Sequence, residues 1–313
     1  LYIGLFPMVI DQVFGSKKYN ISQVLEKEYG SQIAKKVLEK TGPSKLFIAS
    51  DEESALTLGI DACNKLINKL KIKGINYSEN VKNIFSVTES PEMLFPGNAT
   101  QIASTLNLSE DTSVFDINAG CTGFVDAIRL SIGMNHPSLI ICSETYSKHW
   151  KKFNRAVSAL FADAASAIYF DPNEWKILHS SGKYQADTSK LISSPHGAPN
   201  TGEVVMAGKD VANFVNSIVI PTIKDILSQD FAIDRGYFHQ GSLFVVETIQ
   251  SKLGKYIKSI PCNICERGNS VSATLPILMH DDMKNNQIKS GETILIAGFG
   301  VGLALSVCIL QKK

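Results

Sequence analysis

The sequence predicts an α/β protein built of two mixed halves. Segments with helical periodicity alternate with short strands along most of the chain, an order typical of βαβ units and a largely parallel sheet. The 313 residues, 44% of them hydrophobic, exceed the usual single-domain length and can bury a substantial core. A turn sequence, Asp-Pro-Asn-Glu at 171–174, separates two strands near the middle. We therefore expect an N-terminal half over 1–172 and a C-terminal half over 173–313.

In the first half, apolar periodicity distinguishes helices from strands. The helices are expected near residues 20–41, 54–71, 99–106 and 122–134. The strands are expected near residues 81–87, 113–118, 138–143 and 165–170. The segment 122–134 is apolar on nearly every side, which indicates a fully buried helix.

The second half repeats this alternation. Its helices are expected near residues 208–229, 242–256 and 271–284. Its strands are expected near residues 176–181, 237–240, 293–298 and 303–311. The pattern predicts a second α/β unit of similar make-up.

Cys121 stands in a Gly-Cys-x-Gly corner between a predicted strand and the buried helix. This position offers the thiol unpaired backbone N–H groups and the positive end of a helix dipole, both of which favour thiolate over thiol. Gly120 and Gly123 allow a sharp turn and the close approach of a substrate. A buried structural cysteine is the alternative. The corner favours a nucleophile.

Two similar corners follow downstream. His239 ends a short predicted strand just before a helix, and Asn269 follows Gly268 at another helix entrance. In open α/β folds, ligands bind outside the carboxyl ends of the strands, so Cys121, His239 and Asn269 can meet in one pocket. Taken singly, a histidine at a strand end or an asparagine beside glycine is more often structural.

The motifs G-C-T-G-F, F-H-Q-G-S and R-G-N-S-V-S-A carry these three residues in order. Five more motifs accompany them: K-T-G-P-S-K-L-F-I-A, L-F-P-G-N-A, A-L-F-A-D-A-A-S-A, V-V-M-A-G-K-D-V-A and A-G-F-G-V-G. From roughly residue 40 to the C-terminus, the chain resembles β-ketoacyl-acyl-carrier-protein synthase III, of the thiolase superfamily. The resemblance implies the thiolase fold, two similar halves in five αβαβα layers, and a homodimer.

The resemblance also implies the chemistry. Cys121 takes an acyl group from acyl-CoA, and a malonyl thioester then loses CO₂ and attacks the acyl carbon, in fatty-acid or secondary-metabolite biosynthesis. His239 and Asn269 are expected to donate hydrogen bonds to the enolate oxygen as neutral groups. The oxyanion hole of the acylation step is expected to use the backbone N–H groups of Cys121 and Val301, the latter where the family more often has glycine.

Four other residues are assigned to the substrate site by the resemblance. Phe95 matches an aromatic residue that closes the acyl pocket of the partner subunit. Arg155 matches an arginine at the CoA entrance, where a guanidinium meets phosphate or adenine. Gly208 matches a glycine of the pantetheine channel, and Gly241 lies in H-Q-G-S where H-Q-A-N is common.

Departures from the family pattern leave alternatives open. Phe244 replaces an arginine that helps to dock the acyl carrier protein, and no tryptophan corresponds to the one that stacks on the CoA adenine. A specialised relative is therefore an alternative to the initiator of fatty-acid synthesis. An acyltransferase to an alcohol or amine, with His239 as base, is another, as is a non-catalytic subunit of a heterodimer.

Composition narrows the partners and the location. The net charge is +1 without long single-sign runs, so neither nucleic acid nor a membrane is expected as a partner. Six scattered cysteines without an export signal suggest a reducing cytoplasm. Cys262 and Cys265 form a C-x-x-C motif that lacks a second pair or nearby histidines. We therefore expect no metal, and no cofactor.

Overall fold

The computed structural model describes residues 8–149, 155, 157–193, 204–229 and 231–313. Within these ranges it contains two five-stranded sheets and two small two-stranded ones. The strands are β1 Met8–Phe14, β2 Lys17–Asn20, β3 Lys45–Ile48, β4 Asn83–Val87, β5 Ser113–Ile117, β6 Ser138–Glu144, β7 Ala164–Phe170, β8 Trp175–Tyr184, β9 Ile192–Ser193, β10 Val205–Met206, β11 Ile233–Phe238, β12 Ile257–Ser259, β13 Thr293–Gly300 and β14 Ala304–Lys312.

Helices connect and cover these sheets. They are α1 Ile21–Tyr29, α2 Ser31–Thr41, α3 Ala55–Ile72, α4 Tyr77–Asn80, α5 Asn98–Thr105, α6 Gly120–Met134, α7 Gly208–Phe214, α8 Ile220–Leu227, α9 Leu243–Leu253, α10 Ile264–Arg267 and α11 Thr274–Met283. Single turns of 3₁₀ helix lie at Tyr146–His149, Pro172–Glu174 and Val271–Ala273, and one π-helical turn at Val215–Val219 joins α7 to α8. The α/β class predicted from the sequence is confirmed.

The two large sheets share one pattern of strand pairing. The first has the order β1-β7-β6-β4-β5 and the second the order β8-β14-β13-β11-β12. Along each order, two antiparallel pairings are followed by two parallel ones. In each sheet four of the five strands therefore run in one direction, in keeping with the predicted largely parallel sheet, whereas the reversal of β7 and of β14 was not predicted. One physical reason is visible between β13 and β14: the three residues 301–303 are too few for the crossover that a parallel partner needs.

Five layers stack in the order αβαβα. Helices α6 and α11 lie between the two sheets, with α3 outside the first sheet and α8 and α9 outside the second. The middle layer buries Phe124 and Ile128 of α6 against Leu275 and Leu278 of α11. Burying each such side chain contributes about 1.5–3 kcal/mol. This layer fixes the start of α6, which carries Cys121.

Among the local features that differ from the sequence-based expectations, two involve long segments. The single helix expected over residues 20–41 is two helices, because Gly30 takes φ 79° and ψ 159° between α1 and α2. The other is β1, which was not predicted and which pairs along its whole length with β7. The expected boundary at 172/173 stays a prediction; it falls in the connection between β7 of the first sheet and β8 of the second.

Three cysteines that lie in apolar segments, Cys63, Cys142 and Cys308, are buried and free. Cys262 and Cys265 are exposed and free. In the parts of the chain that the structure describes, no three His, Cys, Asp or Glu side chains gather as a metal site. Nor is any helix in these parts long and apolar enough to cross a membrane.

Candidate active site

One cavity of about 710 Å³ brings the three predicted catalytic side chains together. Cys121 lies in the first turn of α6, just after β5. His239 directly follows β11, and Asn269 lies between α10 and the 3₁₀ turn before α11. All three line the cavity although 148 positions separate the first from the last. The carboxyl ends of strands from both sheets therefore form its walls.

Glycines make room for the Cys121 side chain. A Cβ added at Gly300 would lie 2.7 Å from the Cys121 Sγ, closer than real Cβ atoms approach sulfur. Gly300 has φ 156° and Gly302 has φ 131°, whereas Val301 is not among the described residues with positive φ. The two flanking glycines thus supply the turn, and Val301 keeps ordinary backbone geometry.

The ionisation of Cys121 differs from the sequence-based expectation. Burial raises the pKa of the Cys121 thiol well above its usual range, and the nearby Glu89 carboxylate raises it further. Hydrogen bonds from the backbone N–H groups of Val301 and Cys121 act in the opposite direction but are outweighed. The backbone N–H groups of the corner therefore favour thiolate as expected, but desolvation outweighs them and the net pKa is raised.

His239 is buried and neutral. Its Nδ1 lies 2.7 Å from the Thr274 hydroxyl oxygen, and burial lowers its pKa to about 3. The Phe299 ring stands nearly perpendicular to the imidazole, with centroids 5.7 Å apart. In this environment the ring acts as a hydrogen-bonding group and holds a second proton poorly.

The Asn269 amide is oriented by two hydrogen bonds. Its Oδ1 accepts from the Val271 N–H at 2.8 Å, and its Nδ2 donates to the Gly241 carbonyl at 3.2 Å. Since the amide nitrogen has two protons, one remains for a ligand. Val271 has φ 50°, which costs a β-branched residue roughly 1–3 kcal/mol, and the bond to Oδ1 helps to hold it there.

The remaining predicted substrate residues divide into two groups. Arg155, Gly208 and Gly241 line the cavity, and the Arg155 guanidinium lies 5.8 Å from the centroid of the Tyr29 ring. Phe95 does not line the cavity of its own chain, and it is 79% exposed.

Sequence reasoning missed one wall of the cavity. The α2 side chains Ile33, Lys36, Val37, Lys40 and Thr41 line it, as does Tyr146 after β6. The amphipathic pattern of α2 was a signal, with Lys36 and Lys40 one turn apart. Nothing local indicated that α2 packs beside residues 200 positions away.

Comparison with known proteins agrees with this geometry. Residues 115–185 match the family model described as 3-Oxoacyl-[acyl-carrier-protein (ACP)] synthase III, and residues 228–312 match its C-terminal model. The first match contains Cys121 and the second contains His239, Asn269 and Val301.

Similar proteins cover most of the chain. A β-ketoacyl-[acyl-carrier-protein] synthase III of Coxiella burnetii is 29% identical over 283 residues, 84% of this chain and 86% of the relative. One of Neisseria meningitidis is 26% identical over 291 residues, 88% of this chain and 89% of the relative. A solved 3-oxoacyl-(acyl-carrier protein) synthase from Burkholderia xenovorans superposes with a TM-score of 0.86 at 21% identity, covering 98% of this chain and 94% of the other. This likeness establishes the same fold, in the layers described above.

Proposed function

Because the chain belongs to the 3-oxoacyl-[acyl-carrier-protein] synthase III family of acyl-transferring condensing enzymes, we propose a two-step reaction for it. Cys121 takes an acyl group from acyl-CoA, and the acyl group then condenses with a malonyl thioester that loses CO₂. The observation that carries the proposal is the presence of Cys121, His239 and Asn269 in one cavity. The product is a 3-oxoacyl thioester for fatty-acid or secondary-metabolite biosynthesis.

In the first step, the sulfur attacks the thioester carbon and negative charge develops on the carbonyl oxygen. The backbone N–H groups of Cys121 and Val301 already point toward the thiol and are the donors for that oxygen. Gly300 leaves the space in which the new acyl–sulfur bond forms.

In the second step, loss of CO₂ leaves an enolate whose oxygen needs neutral donors. His239 offers a ring N–H and Asn269 one free amide proton. A neutral imidazole suits this role, because it stabilises the anion without giving up its proton. The lowered pKa of His239 disfavours the rival acyltransferase reaction, in which the ring would act as a base.

The cavity mouth suits a CoA or phosphopantetheine thioester. Lys36, Lys40, Lys209 and Arg155 line it, and cations of this kind bind phosphate groups. Gly208 lies at the start of α7 with no atom within 4 Å of an added Cβ, which leaves a passage for a thin pantetheine arm. The partner in the second step is an acyl carrier protein, and the reaction takes place in the cytoplasm without metal or cofactor.

We further propose that the chain forms a homodimer. Strand β5 lies at the edge of the first sheet, with Val114 and Phe115 each at least 40% exposed. Beside it, Met93, Leu94 and Phe95 expose 43%, 85% and 79% of their surfaces. An apolar edge strand of this kind pairs with another chain. In the dimer, Phe95 closes the acyl pocket of the partner subunit.

The proposed reaction is tested by product analysis. The protein is incubated with acyl-CoAs of increasing chain length and then with a radiolabelled malonyl thioester. We expect an acyl-enzyme, labelled CO₂ and a 3-oxoacyl thioester. An acyl-enzyme that gives its acyl group to alcohols or amines, without CO₂ release, would instead establish the acyltransferase.

A further inference from the structure

A second group of titratable side chains lies directly behind the nucleophile. Glu89 follows β4 and Glu144 ends β6, the two strands nearest to β5, and Tyr146 lies two residues beyond Glu144. The parallel pairing of β4 with β5 sets Val87 opposite Ile117, so Glu89 emerges at the same sheet edge as Cys121. None of these three side chains has a role in the two-step reaction proposed for the enzyme.

The contact between Glu89 and the nucleophile corner is close. A Cβ added at Gly120 would lie 2.5–2.7 Å from the carboxylate atoms of Glu89. Gly120 also has φ 46°. Glycine beside Cys121 thus makes room for a carboxylate as well as for the turn.

Tyr146 connects this carboxylate with the cavity. Its hydroxyl donates a hydrogen bond to Glu89 Oε2. The Tyr146 side chain is 6% exposed, lines the cavity with Cys121 and belongs to the same packed apolar cluster. Tyr146 therefore links the wall of the cavity to Glu89 by a hydrogen bond that is shielded from bulk water.

Glu144 holds Glu89 in place. Its carboxylate accepts hydrogen bonds from the hydroxyls of Ser272 at 2.7 Å and Ser90 at 2.8 Å, and from the Glu89 N–H at 3.1 Å. Among the ion pairs of the described residues, none involves Glu89 or Glu144. Burial raises the pKa of Glu89 although the hydrogen bond from Tyr146 lowers it, so Glu89 takes up a proton at a higher pH than an ordinary glutamate. Burial and the neighbouring Glu89 carboxylate raise the pKa of Glu144 to about 8.

The site needs a proton acceptor that His239 does not supply. The Cys121 thiol is held in its protonated form by burial. The His239 Nδ1 faces the Thr274 hydroxyl, whereas a catalytic base usually has a carboxylate in that position. Acyl transfer still requires the thiol proton to leave as sulfur attacks.

We propose that Glu89, acting through the Tyr146 hydroxyl, is the acid–base group of the acylation step. As sulfur attacks the thioester carbon, the thiol proton passes to the Tyr146 oxygen and the Tyr146 proton passes to Glu89. The carbon–sulfur bond to CoA then breaks, and the CoA thiolate takes the proton back from Glu89 through Tyr146. Acyl-CoA and free enzyme become acyl-enzyme and CoA thiol, with no net gain or loss of protons. This inference rests on the proposed acylation of Cys121.

The test compares acylation with alkylation of the same sulfur in Glu89→Gln, Tyr146→Phe and the wild type. The rate of acylation by acyl-CoA measures the reaction that needs the proton transfer to Glu89. The rate of alkylation by iodoacetamide measures how much of Cys121 is thiolate. We expect the wild-type acylation rate to rise with pH as a carboxyl group deprotonates. Both variants should lose that rise, and their acylation should slow by about 10²-fold or more. Alkylation of Glu89→Gln should be as fast as in the wild type or faster, because a nearby negative charge has been removed.

The matched control is Glu92→Gln, which removes a carboxylate from the same loop and should acylate at the wild-type rate. Wild-type acylation in Glu89→Gln would overturn the inference, and so would an equal slowing of acylation and alkylation, which indicates a distorted site. A wild-type protein that is alkylated but never acylated would instead refute the proposed function. Melting temperatures identify any variant that fails to fold.

Discussion

His239 Nδ1 lies 2.7 Å from the Thr274 hydroxyl oxygen, and that oxygen lies 3.0 Å from the Val271 carbonyl oxygen. The hydroxyl has one proton for two acceptors, and its choice determines which imidazole nitrogen is protonated. If the proton goes to Nδ1, the N–H of His239 is at Nε2 and is available to an enolate. The direction in which the Thr274 hydroxyl points thus decides the tautomer of His239, and the condensation step requires the one protonated at Nε2.

We expect Thr274→Val to slow decarboxylation of the malonyl thioester by about tenfold, the effect of losing one buried hydrogen bond. Acylation of Cys121 should change little. Thr274→Ser keeps the hydroxyl and should restore the rate, and nitrogen NMR of the His239 ring should show Nε2 protonated in the wild type. A ring protonated at Nδ1 would contradict this account of Thr274.

Variants that lack one of the two enolate donors should affect the second half-reaction but not the first. His239→Ala and Asn269→Ala should each leave acylation intact and slow CO₂ release by about 10²-fold. Burst acylation and release of radiolabelled CO₂ measure the two steps independently. Wild-type CO₂ release from either variant would remove that residue from the enolate site.

The space that Gly300 leaves beside the Cys121 sulfur should also be essential for acylation. In Gly300→Ala the new Cβ would lie 2.7 Å from Sγ, at a φ of 156°. We expect acylation to fall by about 10²-fold, since a misplacement of about 1 Å has that effect. Gly133→Ala is the matched control: it adds a methyl group on α6 with no atom within 4 Å, so acylation should be unchanged. Equal acylation rates in both variants would show that the sulfur has more freedom than these distances allow.

The sequence predicted those parts of the site that depend on local signals. Cys121, His239 and Asn269 each follow a strand or a glycine at a helix entrance, and the α/β rule for strand ends was enough to bring them together. The wall formed by α2 and the position of Glu89 behind Gly120 were not predictable in this way, because both depend on contacts between distant segments. The net ionisation of Cys121 was not predictable for a related reason: a helix start is visible in the sequence, whereas burial and a neighbouring carboxylate are not.

The strands, too, were predictable only as far as local sequence signals define them. The strands around Cys121 were predicted nearly to the residue, since β-branched runs mark them. The reversed direction of β7 was not predicted, because βαβ spacing alone does not show that β7 returns antiparallel beside β6. The break at Gly30 was also missed, since a glycine within a helical pattern is often tolerated.

The most direct test of the central claim is localisation of the acyl group by peptide mass spectrometry after incubation with acyl-CoA. We expect one acyl group, on the peptide that contains Cys121. We also expect no acylation of Cys121→Ser, which keeps the fold and melting temperature but removes the thiol. An acyl group of the same mass on the serine variant, or on Cys262 or Cys265 in the wild type, would contradict the account.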